Sequence, residues 1–530
     1  MTKAYRWQVT AVVAIGLFMA ILDNTIVSVT LPQMQKAFHT DFESITWVAT
    51  AYFLAQAAVI PIVGYLSDRV GSKLVFLIAL ALFTIGSTLC ALAPTKEALI
   101  AFRVFQGIGG GALLPMAFAI IFRIFPPTER AAATAVLGIP IMMAPAFGPT
   151  IGGFLSTNFN WNAIFTVNIP IGVVALVLAI LVLPGRKAES EQQAGPTGPI
   201  GRKRFDIAGL MLSMVGFTAL VYGITQAGSK GWGDATVLTF IIGGAAVLVA
   251  FVVVELRVSD PVIDMRLFTN YTFTIANIVM WVVAAVLFGS VFLLPLFFEN
   301  IQGASALTAG ELLISQGLAM GVGMALSGTL YNRVGPRILT TIGLVLVVVG
   351  TFSLTQLNVN TTGQSLQIWL ILRGLGLGFS NPPLQTLAMS AVSNRAMAKA
   401  SSLVSVTRIV ASAIGVAGLT TYLTQQAAAH GLAIGKAIQA GLATHQFSGV
   451  AATCVKLAGP TLNQAAVQAC VMRQASAQGL DDTFWVVLIC CAASIVLALI
   501  LGRDPAVRAY QEAKARGEKV TPERVPAMSE

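Results

Sequence analysis

Gly64-Tyr65-Leu66-Ser67-Asp68-Arg69-Val70-Gly71-Ser72-Lys73 lies between two long apolar runs, and Gly328-Thr329-Leu330-Tyr331-Asn332-Arg333-Val334-Gly335-Pro336-Arg337 echoes it 264 residues later. A string that recurs in the same setting marks an internal duplication. Charges in so short a connection between two membrane spans are expensive unless they hold neighbouring helices on one side of a bilayer. The turn therefore reads as part of a duplicated membrane protein.

Working outward, the 530 residues are 56% hydrophobic and 10% charged, with mean hydropathy +0.81. An ordinary soluble domain carries about 25% charged residues. Apolar stretches of about 20 residues, each long enough to cross a hydrocarbon core of about 30 Å as a helix, recur along the chain. Fourteen spans are expected: 9–31, 46–66, 74–93, 99–121, 132–155, 163–183, 207–226, 236–256, 272–298, 308–330, 338–356, 367–391, 400–424 and 482–502. Few alternate as strands do, and Gly and Pro are frequent inside them, so the fold class is all-α integral membrane.

Of the 32 Lys and Arg, Lys36, Lys96, Lys230, Lys436, Lys456 and Arg473 fall outside when the N-terminus is placed inside, while Arg103, Arg373 and Arg408 fall within spans. The rest lie on the inner side, the positive-inside pattern of a multi-pass protein of the plasma (inner) membrane. An even span count returns the C-terminus to the cytoplasm. The net charge of +10 then reflects topology, with no nucleic acid as partner. The first apolar run is too long for a signal-peptide core and carries Asp23, so it reads as a retained span. Cys454 and Cys470 share the last outer loop, where spacing alone leaves a disulfide open.

The second half repeats the first. Arg103-Val104-Phe105-Gln106-Gly107 is matched with Arg373-Gly374-Leu375-Gly376-Leu377, an offset of 270. This divides the chain into a six-helix bundle (1–183), a Gly/Pro-rich cytoplasmic linker (184–206), two inserted spans (207–256), a second six-helix bundle (257–502) with an Ala- and Gln-rich outer loop at 425–481, and a charged tail (503–530).

The 64–73 turn is similar to the signature between helices 2 and 3 of the major facilitator superfamily, and six plus two plus six spans resemble its fourteen-span drug:proton antiporter branch. Leu22 to Pro32, Arg103 to Gly111, Gly138 to Gly153 and Asn168-Ile169-Pro170-Ile171-Gly172 occur in the order that branch shows. The resemblance covers almost the whole chain. It implies alternating access, with protons flowing inward to drive a lipophilic or cationic drug outward, as in multidrug efflux and antibiotic resistance.

Asp23 is the only acid deep in a span. Burial disfavours its charge while a neighbouring cation favours it, so its proton occupancy can respond to conformation. Arg103 lies at a matching depth and is the expected counter-charge. The resemblance assigns that arginine to proton coupling, and Glu311, near the outer start of its span, is a second candidate against an ordinary dipole-favoured acid. In the turn, Asp68, Arg69 and Lys73 are expected to gate the inner side, Asp68 pairing with an arginine such as Arg130. Arg69 and Lys73 also fit as plain positive-inside residues. The first copy, with Asp68 where the second has Asn332, is expected to be the working latch.

Gly138, Pro145, Gly148, Pro149, Gly152 and Gly153 resemble the exporter signature, a helix bent by Pro and approached closely at Gly. Pro140 and Pro145 depart from the commonest spacing. Phe18, Tyr52, Phe53, Met142, Phe147, Phe292, Phe297, Met320 and Arg408 are candidate lining of a substrate cavity, able to accept varied lipophilic solutes. Arg408 reads equally as structural, and Arg373 as a structural copy of Arg103.

Gly223 to Lys230 lacks the Gly-Lys juxtaposition of a phosphate-binding loop. His39, His430 and His445 lack metal-ligand spacing, and no hydrolytic triad is apparent. The expectation is a monomeric, non-enzymatic carrier without cofactor, driven by the proton gradient, with small lipophilic or cationic substrates, protons and membrane lipid as partners. A periplasmic adaptor on the outer loop joins them if the cell has two membranes. With Asp23 the only deep acid, a dedicated dication pump fits poorly. An amphipathic lipid or lipid precursor is the alternative cargo, and a transporter-like receptor without turnover is a third reading.

Overall fold

The computed structural model describes residues 2–185, 206–258, 261–303, 306–359, 361–393, 396–444, 447–457, 463–502 and 504–516. Every regular element among them is helical: α1 Lys3–Ala37, α2 Phe42–Val70, α3 Ser72–Ala91, α4 Lys96–Ile124, α5 Pro127–Asn158, α6 Ala163–Thr166, α7 Asn168–Val182, α8 Ile207–Lys230, α9 Ala235–Arg257, α10 Tyr271–Leu296, α11 Ala306–Val334, α12 Pro336–Phe352, α13 Gly363–Ser390, α14 Met397–Thr444, α15 Gly449–Leu457, α16 Gln464–Leu499 and α17 Pro505–Ala515, with short 3-10 or π turns between some of them. Among the described residues, twelve candidate membrane spans are long and apolar enough to cross a bilayer, α6 and α7 forming one of them. The expected spans five and twelve correspond to α5 and α13, 32 and 28 residues long, which stand outside those twelve.

Local chemistry fixes where the helices start. Asp41 accepts from Ser44 N at 2.7 Å, Asp206 from Gly209 N at 2.8 Å, and Asp234 from Thr236 N at 2.9 Å and Val237 N. These caps satisfy backbone donors left free at helix N-termini. The Ser44 bonds hold the Asp41 carboxyl below the usual carboxylate range, and the backbone of Val237 does the same for Asp234. The two polar turns use a different device. Gly71 (φ 96, ψ 147) ends α2 and begins α3, and Gly335 (φ 91, ψ 155) joins α11 to α12. A backbone at that φ is open to glycine and strained for a side chain, so one residue makes each corner.

The duplication is visible in the packing. In the first half α1 packs on α5 and α7, and α2 and α3 pack on α4. In the second, α10 packs on α14 and α16, and α11 and α12 pack on α13. Across the seam α5 meets α11 and α2 meets α14. The inserted pair packs as α8 on α9, with α8 laid against both α2 and α14. Trp232 Nε1 donates to Thr421 Oγ1 at 3.0 Å, and Trp47 and Tyr222 rings lie 5.8 Å apart, fastening the insert to both halves.

One expectation changes here, and one open pairing is decided. The 425–481 segment is largely helical: α14 runs 48 residues, about 70 Å and twice a hydrocarbon core, and α16 runs 36. Their outer ends form a hairpin closed by α15 and by a disulfide between Cys454 and Cys470. Ala and Gln are good helix formers, which is why this segment stays helical beyond the apolar spans. Most of the 184–206 linker, His445 and the tail from 517 lie outside the described residues.

Candidate functional site

α1 and α4 bring Asp23 and Arg103 together, with Arg103 Nη1 2.5 Å from Asp23 Oδ2 and both side chains sealed. Asp23 Oδ1 also accepts from Gln106 Nε2 at 3.1 Å and from Asn168 Nδ2 at 2.7 Å. Arg103 Nε donates to Val48 O at 3.1 Å and Nη1 to Gln106 Oε1 at 2.7 Å, while Ser87 Oγ accepts from Gln106 Nε2 at 2.7 Å. The guanidinium lies 4.0 Å from the Tyr52 ring centroid and 5.7 Å from that of Phe165. Removing one member of so dry a network strands the others, which makes a buried pair costly to break rather than strongly stabilising to make. Arg103 Nη2 and Asn168 Oδ1 are its unsatisfied atoms.

Three members, Asn168, Ser87 and Tyr52, were not assigned to this cluster from the sequence. Asn168 opens one of the quoted strings, which was the available signal. Tyr52 is moved: it is fully buried beneath Arg103, so it belongs to the ion pair rather than to a cavity wall. No hydrogen bond or ion pair joins Glu311, exposed near the start of α11, to this cluster among the described residues.

The matching position in the second half is different. The would-be β-carbons of Gly107, Gly109 and Gly111 in α4 meet Tyr52, Ala79 and Gln56; those of Gly374, Gly376 and Gly378 in α13 meet Gln316, Gly343 and Met320, each 264 residues on. The packing sets the offset between α4 and α13 at 267, so Arg373 stands where Gln106 stands, and Leu370 where Arg103 does. The match at 270 followed the arginine and slipped the register by three residues. Arg373 is fully buried with Nε, Nη1 and Nη2 all unpaired, and Thr351, the counterpart of Ser87, has an unpaired Oγ1.

At the inner end, by the Lys/Arg distribution, the first glycine of each turn touches the opposite half. A β-carbon on Gly64 would lie 2.5 Å from Ala398 O of α14, and one on Gly328 would lie 2.7 Å from Ala135 Cβ of α5. Gly64 N donates to Ser402 Oγ at 2.9 Å, Ser401 Oγ to Pro115 O at 2.7 Å, and Asn332 Nδ2 to Thr128 O at 2.6 Å. The inner end is thus closed between the halves.

The charged turn residues also make contacts within the first half. Asp68 pairs with Arg123 of α4 at 2.6 Å, within its own half, where Arg130 had been the expected kind of partner. Arg130 Nε donates to Phe125 O at 3.2 Å. Lys73 Nζ donates to Ile180 O at 2.7 Å and Leu183 O at 2.8 Å, capping the end of α7, and Arg69 lies 4.6 Å over Tyr65. The cross-half bond of Asn332 makes the second copy more than a passive echo of the first.

In α5, Gly148 and Gly152 pack on Thr25 and Ile26 of α1, beside Asp23, and Gly138 packs on Met324 of α11 across the seam. Gly153 has open space beside it. The side chains of Pro145, Pro149, Met142 and Phe292 lie outside the described residues. Of the expected cavity wall, Phe53 is 41% exposed, Phe18, Phe147 and Arg408 are half-buried, and Phe297 and Met320 are buried in the core. Phe297 packs against Phe298 with ring centroids 5.4 Å apart, which removes it from any open surface in this conformation.

Residues 13–416 match the Major Facilitator Superfamily. A multidrug resistance protein B homolog of Mycobacterium tuberculosis is 36% identical over 416 residues, 77% of this chain and 74% of that protein. A lincomycin resistance protein of Listeria monocytogenes is 29% identical over 407 residues, 77% and 84% of the two chains. The proton:xylose symporter XylE, bound to 6-bromo-6-deoxy-D-glucose, superposes with TM-score 0.59 at 13% identity, covering 95% of this chain and 97% of that one. Its likeness is one of fold. The extent of the sequence match and the duplicated bundle lead to one assignment: the chain belongs to the Major Facilitator Superfamily of membrane transporters.

Proposed function

We propose that the protein is a proton-driven antiporter exporting lipophilic drugs by alternating access, with all fourteen long helical spans, α5 and α13 included, crossing the membrane and both termini inside. It works as a monomer without a cofactor. The observation that carries this reading is the sealed Asp23 network in a molecule whose inner end is closed. A proton reaching Asp23 removes the charge that Arg103, Gln106 and Asn168 share, and the freed donors must find new partners. α5 links that event to the seam, because its glycines touch α1 beside Asp23 at one end and α11 at the other. Protonation can thus bias the packing of the two halves, and substrate release follows on the opposite side.

Of the two substrate kinds expected from sequence, lipophilic drugs fit better. Asp23 is occupied by three donors and offers no free carboxylate to a cation. The decisive experiment is uphill drug accumulation in proteoliposomes under an imposed pH gradient. The parent should respond to the gradient, and Asp23→Asn should retain only downhill movement. Uphill transport by Asp23→Asn equal to the parent's would overturn the coupling role.

A further inference from the structure

Three arginines sit at membrane depth. Arg103 is sealed and paired, Arg373 is sealed and unpaired, and Arg408 is neither sealed nor paired. Arg408 is half-buried in α14, and its guanidinium makes no hydrogen bond or ion pair among the described residues. Its direction follows from helix geometry. Ser401, seven residues earlier, touches Pro115 of α4 in the other half, and Gly415, seven residues later, packs on Ala285 of α10. Seven residues are close to two full turns, so all three lie on one face, with Arg408 about 10 Å outward of the Ser401 contact. That face meets α4 of the other half at its inner end and α10 of its own half farther out, and Arg408 stands between the two contacts.

A lone guanidinium at this depth is unfavourable unless something meets it. No described acid does so, since Asp23 is engaged and Glu311 is exposed near the start of α11 without an ion pair. Guanidinium presents a planar fork of donors matched to carboxylate, phosphate or sulfonate. Of the side chains expected from sequence to line a cavity, the partly exposed Phe18, Phe53 and Phe147 are apolar.

We propose that Arg408 receives the acidic group of an amphipathic organic anion, whose apolar body lies against the apolar side chains of the neighbouring helices. This rests on the exporter reading and narrows its cargo; the anion comes either from solution or from a lipid headgroup.

The test uses the full-length protein in phosphatidylcholine nanodiscs and two fluorescent probes of equal body, dansylaminoundecanoic acid and its neutral methyl ester. The parent should bind the acid at least about ten-fold more tightly than the ester, as a charge-assisted hydrogen bond requires. Arg408→Gln should bring the acid to the ester's affinity, and Arg408→Lys should keep part of the preference. Equal binding of acid and ester by the parent overturns the proposal without any variant, and so does an undiminished preference in a folded Arg408→Gln protein. Adding phosphatidic acid to the nanodiscs separates the sources: competition supports the site with the bilayer supplying the anion, and its absence supports it with solution supplying it. Binding preference is read without a pH gradient, so it survives if the antiport reading fails, and antiport survives if the preference is missing.

Discussion

Asn168 shows what a single neutral donor does in a dry network. Its Nδ2 serves Asp23 Oδ1 at 2.7 Å and Ser87 Oγ at 3.2 Å. Asn168→Ala should lower stability by about 1.5–3 kcal/mol, the usual worth of a hydrogen bond to a charged group, and depress gradient-driven transport. A thermal midpoint and transport rate both equal to the parent's would count against its place in the site. Tyr52→Phe keeps the ring under Arg103 and loses only the hydroxyl, which donates to Ala20 O at 3.4 Å and also bonds Gln56, whereas Tyr52→Leu removes the ring. Transport should therefore survive the first and fall in the second. Arg373 predicts the opposite sign: an unpaired buried charge costs stability, and Arg373→Gln restores the residue found at the matching place in α4. Its thermal midpoint should rise, and a clear fall would show that Arg373 has a partner in another conformation.

At the scale of the element, the repeated turn is a corner plus a contact. Gly71 and Gly335 make the corners, and Gly64 and Gly328 make the close approaches to α14 and α5. Gly64→Ala places a methyl group against backbone that cannot yield as a side-chain tip can, so it should shift the population toward an open inner end. Spin labels on the inner ends of α2 and α14 should report longer distances in that variant. Unchanged distances would show that the seam tolerates the methyl group. Asp68→Asn, which weakens a pair within one half, should alter those distances less than Gly64→Ala does.

In the whole molecule, the inserted helices bridge both halves along the α2–α14 side, and the outer hairpin extends α14 and α16 beyond the spans. The Cys454–Cys470 bond closes a loop of separation 16, worth about 3 kcal/mol by chain entropy. Replacing both cysteines by Ser should speed hydrogen exchange in α15 and the adjoining start of α16, and leave transport near the parent's level. Loss of transport with exchange unchanged would place the disulfide in the mechanism instead.

The sequence alone was enough to establish a helical membrane protein, its duplication, its two polar turns and the pairing of Asp23 with Arg103. Hydropathy, turn chemistry and the cost of a buried charge are local properties, readable residue by residue. Which face a side chain presents was not readable. α4 buries residues on every side, from Arg103 and Gln106 to Phe118 and Phe122, so its pattern of apolar residues points nowhere. The packed structure decided that Tyr52 lies under Arg103, that Arg373 replaces Gln106 and that Asp68 meets Arg123 while Asn332 crosses the seam. It also left the Arg408 guanidinium without a partner among the described residues. Each of these depends on which helix lies alongside, and close packing between helices distant in sequence determines that.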